Sequence, residues 1–463
     1  LASVAPLPAS RLLVAQALDR MGLHREALDE LDAVLEQQPD DAETLELRGH
    51  MLFELGRADE SVVMFERALS LKEPSADTLS SLAAVLGHLG QIEQALHRTQ
   101  EALRLQPGHR NALSNQGRAL IELLRVGEAA AASSRALALY PQDAELRWNH
   151  AVAQLLQGNL QAGWPDHEAR WELTAAGGGR PRPDFGRPRW SGRESLQGRT
   201  IFLFVEQGLG DCIQLLRYVP LVAAKAQAVL LQLPAALLPL AGGLPPNCTL
   251  VKEGEALPPF DFECALMSLP LAFGSSLETL PRAVPYLHAD PAQTQAWRQR
   301  LDQAGPARLR VGLAWSGNPD HRNDRNRSIP LAVLRRLAVD GCQFVSLQPE
   351  VRARDVDALA DWPALVQVPD GLRDFGDTAA LMSALDLVVS VDTSAAHLAG
   401  ALAVPVWLLL PYCPDWRWML EREDSPWYPT ARLFRQPGPG DWEPVLDCVR
   451  SDLGSLAASA QIG

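Results

Sequence analysis

The sequence predicts a solenoid of paired helices over its first third and an α/β region with parallel sheets over the rest. Small and turn-forming residues recur with a period of 34 as far as about residue 173. A stretch rich in glycine, proline and arginine follows, which marks a domain junction. Beyond it, short apolar runs alternate with helical segments, the pattern of parallel sheets covered by helices.

The period of 34 is visible in four columns of the sequence, which agree in phase. Glycine permits a tight turn after the first helix of each repeat, alanine lets the paired helices pack closely, and proline follows the second helix. In the glycine and proline columns, Leu124 and Glu73 fill the missing slots. The columns hold Gly22, Gly56, Gly90 and Gly158; Pro39, Pro107 and Pro141; Ala27, Ala95 and Ala129; and Ala68, Ala102 and Ala136.

These columns resemble the tetratricopeptide repeat, with about four and a half copies over residues 8–173. Such repeats stack into a curved solenoid, and its concave face is a typical surface for an extended peptide or a partner protein. Asn115 and Asn149 share one column on the first helices of successive repeats. Related solenoids sometimes present asparagines there to a peptide backbone. We predict acceptor binding at Asn115 and Asn149, with ordinary surface polarity as the alternative.

Composition excludes several classes of function. The net charge of −14 argues against a general nucleic-acid binder. Apolar runs fall short of the ~20 residues that a membrane helix needs, so we expect no membrane span. We see no signal peptide, and the six scattered cysteines suit a reducing cytoplasm. The ten histidines form no metal-binding cluster, so we predict neither a metal nor a cofactor.

We expect four segments along the chain. Residues 1–173 form the solenoid, 174–199 a linker that packs along a domain surface, 200–290 an N-terminal Rossmann-like lobe, and 291–463 a C-terminal lobe with a closing helix. Ligands of such lobes bind in a cleft at the carboxyl ends of the strands. The predicted strands are 200–205, 228–233, 248–251 and 262–266 in the first lobe and 309–315, 343–347, 385–391 and 404–410 in the second.

The first polar loop follows the first predicted strand of the first lobe. It runs from Glu206 to Asp211, and we expect Gln207, Gly208 and Gly210 to approach a ligand. Asp211 stands at the start of the next helix, where a carboxylate could accept a proton from an attacking hydroxyl. A simple helix cap is the alternative for Asp211, and Glu206 competes for the role of base.

The second polar loop follows the first strand of the second lobe and is basic. Arginine side chains bind phosphates through paired hydrogen bonds. The residues that we predict to contact a phosphorylated ligand are Asn318, Arg322, Arg325, Arg327 and Ser328. A solvated loop is the alternative.

The third polar loop ends a buried apolar strand at Asp392. Thr393 and Ser394 then begin a helix, whose free N–H groups make an anion site, and His397 lies one turn further on. A simple N-cap by Asp392 or Thr393 is the alternative. Neither lobe carries G-x-G-x-x-G after its first strand, and G-x-x-x-x-G-K-[ST] is absent, which weighs against a dehydrogenase or P-loop enzyme.

Together the three loops, within residues 196–436, resemble the glycosyltransferases of the GT-B fold. The closest likeness is to the heptosyltransferase-like group, glycosyltransferase family 9, in its repeat-fused bacterial form. The resemblance implies that Asp211 of Gly210-Asp211 is catalytic, and that Asp392, Thr393 and His397 bind a nucleotide-diphosphate sugar. The basic loop matches the family's phosphate-binding loop in place, although a lysine is often used there and this loop contains none. Enzymes of this fold usually need no metal, and the nucleotide sugar is a substrate.

More distantly, the chain resembles the protein O-linked N-acetylglucosaminyltransferases, but it lacks their H-T-T-G-x-D motif. The resemblances imply transfer of a sugar to an acceptor held by the solenoid, with a protein favoured. A non-catalytic scaffold and an enzyme acting on lipopolysaccharide or another glycan are the alternatives. Gln348 and Asp377 are candidate contacts to the base or ribose. An aromatic segment at 411–428 could wall the cleft, with Asp415 and Arg417 reaching into it, or pack the closing helix onto the first lobe.

Overall fold

The computed structural model describes residues 7–173, 181–321, 323–368 and 372–459. By its internal contacts the chain divides into a helical unit and an α/β unit. The helical unit comprises Leu1–Gln157 and Pro165–Pro181, and the α/β unit comprises Gly158–Trp164 and Arg182–Gly463.

The helical unit is a solenoid of helix pairs, as predicted. The first helices of successive pairs begin at residues that are 34 apart throughout, from Pro8 to Ala144. The helices are α1 (Pro8–Arg20), α2 (His24–Leu35), α3 (Ala42–Glu54), α4 (Ala58–Leu71), α5 (Ala76–His88), α6 (Ile92–Leu105), α7 (Arg110–Glu122), α8 (Val126–Leu139), α9 (Ala144–Leu156) and α10 (Leu160–His167).

The sequence columns have the structural roles that their chemistry predicts. Each glycine of the turn column has a positive φ, between 73° at Gly22 and 81° at Gly158. The alanines of the helix columns are fully buried between helices, as Ala27 and Ala68 show. Gly49 extends this close packing, because a Cβ at that position would lie 3.0 Å from the Phe65 ring. The repeat is therefore specified by a few small residues at fixed spacing.

Leu124 occupies the glycine slot of the fourth turn, and it has a φ of 56°. A left-handed conformation costs a residue with a Cβ about 1–2 kcal/mol. Leu124→Gly is therefore expected to raise the free energy of unfolding by about 1 kcal/mol, measured by urea titration with far-ultraviolet circular dichroism. Gly90→Leu, the reverse change one repeat earlier, is expected to lower it by a similar amount. A less stable Leu124→Gly protein would contradict the prediction.

The α/β unit contains two sheets whose strands are all parallel, as predicted. The first sheet has the order β3-β2-β1-β4 and the second the order β6-β5-β7-β8-β9. The strands are β1 (Thr200–Phe204), β2 (Ala228–Leu233), β3 (Cys248–Lys252), β4 (Phe262–Ala265), β5 (Leu309–Ala314), β6 (Cys342–Ser346), β7 (Leu387–Val391), β8 (Val406–Leu410) and β9 (Ala431–Arg435).

Short helices connect the strands and cover the sheets. They are α11 (Leu209–Leu215), α12 (Val219–Ala223), α13 (Leu269–Ala272), α14 (Pro291–Gln303), α15 (Asp324–Arg327), α16 (Leu331–Leu334), α17 (Val356–Ala360), α18 (Phe375–Met382), α19 (Ser394–Ala401) and α20 (Glu443–Ser459). The buried apolar strands between them are typical of parallel sheets. The fold class, a helical solenoid followed by two α/β lobes with parallel sheets, is confirmed.

The linker before β1 and the helix α20 after β9 pack against the lobes of the α/β unit. The described part of the linker runs beside β4, where Arg189 pairs with Glu263 and the N–H of Trp190 donates to the Glu263 carbonyl at 2.9 Å. The linker thus packs along the first lobe. The closing helix α20 packs on the second lobe and not, as predicted, on the first. Its apolar side, including Leu446 and Leu453, belongs to the core of the second lobe with Leu334.

Candidate functional site

The proposed base, Asp211, lies in the first turn of α11, just beyond the carboxyl end of β1. Its Oδ2 accepts a hydrogen bond from the Gly208 N–H at 2.9 Å, which satisfies a free donor at the helix start. Its Oδ1 accepts a hydrogen bond from Nη2 of Arg417. Asp211 therefore caps its helix, and it is also one partner of a partly buried ion pair.

Arg417, the partner of Asp211, follows β8 and belongs to the second lobe. Its side chain is 8% exposed. Nε donates to Oε1 of Gln214 at 2.6 Å and Nη1 to Oδ1 of Asp415 at 2.9 Å. Burial alone would lower the pKa of the guanidinium, but Asp415 and Asp211 outweigh it and raise the pKa. One cation thus holds two carboxylates at neutral pH.

The two lobes of the α/β unit are in close contact at Gly210. A Cβ there would lie 2.8 Å from Cδ2 of His397 and 3.4 Å from Cα of Ser394. Only glycine therefore lets the start of α11 lie against the start of α19. This contact, rather than room for a ligand, explains the glycine at 210. Gln207 and Gly208 are exposed beside it.

His397 is buried at this contact and is neutral. Its Nδ1 is 2.9 Å from the Tyr428 hydroxyl, and its ring stacks on Trp418 with centroids 5.4 Å apart. Burial, together with Arg417, Arg217 and Arg327, holds the pKa of His397 well below its usual range. The imidazole can therefore offer a hydrogen bond to a ligand but no positive charge.

Asp392, Thr393 and Ser394 lie where β7 ends and α19 begins, and each is partly accessible. The Thr393 side chain makes no capping hydrogen bond, so the N-cap alternative fails for this residue. Burial and the nearby Asp415 raise the pKa of Asp392 to about 6, although Arg327 acts in the opposite direction. The helix start thus keeps N–H groups for an anion beside a carboxyl group that titrates near neutral pH.

Arg327 is the arginine of the basic loop that reaches this strand end. Its Nη1 donates to the Asp392 carbonyl at 2.7 Å, and a Cβ on Gly317 would lie 2.6 Å from its Nη2. Arg325 is exposed, and Arg322 lies outside the described residues. Arg327 is therefore placed between the ends of β5 and β7.

Other residues of the basic loop shape it from within. Ser328 donates to Oδ1 of Asp324 at 2.7 Å and accepts from the Gly317 N–H at 3.2 Å. Oδ1 of Asn318 accepts from the Asp320 N–H at 3.0 Å. Arg352, which no sequence motif indicated, donates to the Gly317 carbonyl and pairs with Asp324, both at 2.7 Å. The side-chain contacts of Ser328 and Asn318 are therefore structural ones.

Charged residues of both lobes affect the pKa of His321, which lies in the same loop. Burial and Arg327 lower the pKa of His321, while Asp415 and Asp211 oppose the change. The imidazole is therefore close enough to Asp211 to share its electrostatic environment. Sequence spacing could not show this, because the two residues are more than a hundred positions apart.

Gln348 and Asp377, the candidates for contact with base or ribose, have structural partners. Oε1 of Gln348 accepts from the N–H groups of Trp315 and Ser316, each at 3.2 Å, and so fixes the end of β5. Asp377 accepts from Nε of Arg373 at 2.9 Å, and this hydrogen bond lowers the pKa of Asp377. Nucleotide contacts by these two residues stay predictions.

The two asparagines of the solenoid connect successive repeats. Nδ2 of Asn115 donates to the Ser80 carbonyl at 3.0 Å, and Nδ2 of Asn149 donates to the Ser114 carbonyl at 2.9 Å. Each bond joins the first helices of neighbouring repeats. Hydrogen bonding between repeats therefore explains why asparagine recurs at this position, without a ligand. Acceptor binding by these side chains stays a prediction, and this geometry does not favour it.

Within the described ranges, no group of three or more histidine, cysteine, aspartate or glutamate side chains is placed to hold a metal ion. No helix in the described part of the chain combines the length and apolar character that crossing a bilayer requires.

Comparison with known proteins identifies the repeat. Residues 14–163 match the family model described as "Psidin, N-terminal TPR repeats region". The solenoid is a tetratricopeptide-repeat domain. Solved structures similar to the chain include YrrB, a TPR protein with an unusual peptide-binding site (22% identity, 36% of this chain, 85% of YrrB, TM-score 0.31). PilW, a type IV pilus biogenesis factor, is another (21% identity, 37% of this chain, 80% of PilW, TM-score 0.34).

One curated relative extends beyond the tetratricopeptide repeats. Protein FlbA of Caulobacter vibrioides is 29% identical over 344 residues, which cover 69% of this chain and 56% of FlbA. The chain thus spans little more than half the length of this relative. The aligned share is too large to lie within the tetratricopeptide-repeat domain, so it includes part of the α/β unit.

Proposed function

We propose that the α/β unit is a metal-independent glycosyltransferase that uses a nucleotide-diphosphate sugar, and that the tetratricopeptide-repeat domain holds the acceptor, a protein. The observation that carries the proposal is the meeting of three predicted loops at one place. Asp211 comes from the end of β1, Arg327 from the loop after β5, and Asp392 from the end of β7. The contact of Gly210 with His397 brings these loops together.

The arrangement supplies the groups that sugar transfer needs. Asp211 takes the proton of the acceptor hydroxyl while the hydroxyl oxygen bonds to the anomeric carbon. The bond from that carbon to the diphosphate breaks, and the negative charge on the leaving group is received by Arg327 and the N–H groups at the start of α19. With an amide or guanidinium acceptor, Asp211 orients the nitrogen. The six cysteines, all within the described residues, form no disulfide with one another, which supports a cytoplasmic location.

Calorimetry with UDP, GDP, ADP and CDP tests the donor site. We expect one of them to bind to the wild-type protein and to compete with the matching nucleotide sugar. Binding of none would favour a non-catalytic scaffold. Mass spectrometry of cell protein with and without the gene then tests the acceptor. Unchanged protein glycosylation, with nucleotide binding intact, would favour a lipopolysaccharide or other glycan acceptor instead.

Binding of the diphosphate is expected to weaken as the pH rises. The pKa of Asp392 is about 6, so the carboxyl group is protonated below pH 6 and negatively charged above it. A bound diphosphate repels the charged form, so its affinity falls by up to about tenfold per pH unit above 6. Calorimetry from pH 5 to 8 measures the slope. In Asp392→Asn this part of the slope disappears, whereas ionisation of the nucleotide itself is common to both proteins. Equal slopes would contradict the prediction.

A further inference from the structure

The guanidinium of Arg417 is fixed from several directions. Its three nitrogens donate to Gln214, Asp415 and Asp211, and its carbon lies 4.2 Å from the centroid of the Trp416 ring. Oδ1 of Asp415 also accepts from the backbone N–H of Arg417 at 3.0 Å. The guanidinium therefore cannot rotate away from Asp211 without breaking several buried hydrogen bonds.

The carboxylate of Asp211 is fixed by the same contacts. Arg417 holds one oxygen, and the Gly208 N–H holds the other. Each carboxylate oxygen has a second lone pair, so Asp211 can still accept the proton of a substrate hydroxyl. Its plane is set before the substrate arrives, which is the condition for efficient proton transfer.

We infer that Arg417 is a positioning residue for the proposed base, and that Asp415 and Gln214 hold Arg417 in place for that role. This inference rests on the proposed function. Arg417 contributes no proton and touches no reacting atom. It aims the carboxylate of Asp211 at the acceptor.

The test is the measurement of kcat and KM for hydrolysis of the nucleotide sugar that the wild-type protein binds, with water as acceptor. Arg417→Gln removes the donor that aims Asp211, so kcat is expected to fall by about tenfold or more while KM stays near the wild-type value. Arg417→Lys keeps the charge without the paired geometry, so its kcat is expected to fall as well. In an Asp211→Asn background, Arg417→Gln is expected to lower kcat no further, because the base that Arg417 aims is already absent.

Matched controls lie in the same segment. Arg422 and Asp424 form an exposed pair, with Nε and Oδ1 2.8 Å apart, and Arg422→Gln and Asp424→Asn are expected to leave kcat and KM unchanged. An unchanged kcat for Arg417→Gln, or a fall as large in the Asp211→Asn background as in the wild-type protein, would overturn the inference and leave the proposed function standing. If Arg417→Gln fails to fold, the same comparison with Arg417→Lys decides. If the wild-type protein hydrolyses none of the nucleotide sugars, the proposed function fails and the inference with it.

Discussion

Replacing Arg217 by methionine is expected to lower the free energy of unfolding of the α/β unit by about 3–5 kcal/mol. Arg217 is 4% exposed. Its Nη1 donates to the carbonyls of Trp427 at 2.7 Å and Pro281 at 3.2 Å, and its Nε donates to the carbonyl of Gln214 at 2.7 Å. Methionine fills much of the volume but donates no hydrogen bond, so it leaves these carbonyl groups buried without that donor.

The effect should extend to the candidate site. Cζ of Arg217 also lies 4.6 Å from the centroid of the Tyr428 ring, and the Tyr428 hydroxyl forms a hydrogen bond with Nδ1 of His397. Unfolding by guanidinium chloride, followed by tryptophan fluorescence, measures the loss of stability of the α/β unit, because ten of the twelve tryptophans belong to it. The control is Arg199→Met, which breaks an exposed pair with Asp261 and should cost less than about 1 kcal/mol. Equal midpoints for the two variants would show that Arg217 does not stabilise the unit.

The architecture was predictable because it depends on local signals. Turn glycines and helix-packing alanines fix the period of the solenoid, and fully buried parallel strands are apolar runs that stand out in a sequence. The sequence did not predict β9, which shows the limit of the apolar-run signal. Its sequence is Ala-Arg-Leu-Phe-Arg, and Arg432 and Arg435 interrupt the apolar run. The interruption is tolerated because β9 lies at the edge of the second sheet, and an edge strand needs less burial than a central one.

The candidate site was predictable only to the level of its loops. Ligands of two such lobes bind in a cleft at the carboxyl ends of the strands, and this brought Asp211 of the first lobe and Asp392 of the second into the same prediction. The sequence could not separate Arg327 from Arg325, because the direction of a long side chain depends on tertiary contacts. For the same reason the sequence indicated only that Arg417 could reach the cleft, and it could not show the hydrogen bond from Arg417 to Asp211. Asn115 and Asn149 show the converse, since a regular column can arise from bonding between repeats.

Replacing Asp211 by asparagine is expected to lower the rate of sugar transfer by about 10²–10⁴-fold and to leave nucleotide affinity nearly unchanged. Asparagine keeps the shape of the side chain and an oxygen for Arg417, but its amide cannot take the proton of an acceptor hydroxyl. The groups that we expect at the diphosphate, Arg327 and the start of α19, come from the second lobe and do not depend on this charge.

Transfer rate and calorimetric affinity, measured on the same preparation, separate a catalytic role for Asp211 from a binding role. The matched control is Asp290→Asn, the same chemical change at another helix start, where Oδ1 caps α14 by accepting from the Gln293 N–H at 2.8 Å. This control should transfer sugar at the wild-type rate. Normal turnover by Asp211→Asn would remove Asp211 from the role of base, and the accessible carboxylate of Asp415, held by the same arginine, would then be the next to test. A joint loss of rate and affinity would instead make Asp211 a ligand of the donor, because a residue that acts only on the acceptor proton has no reason to change nucleotide binding.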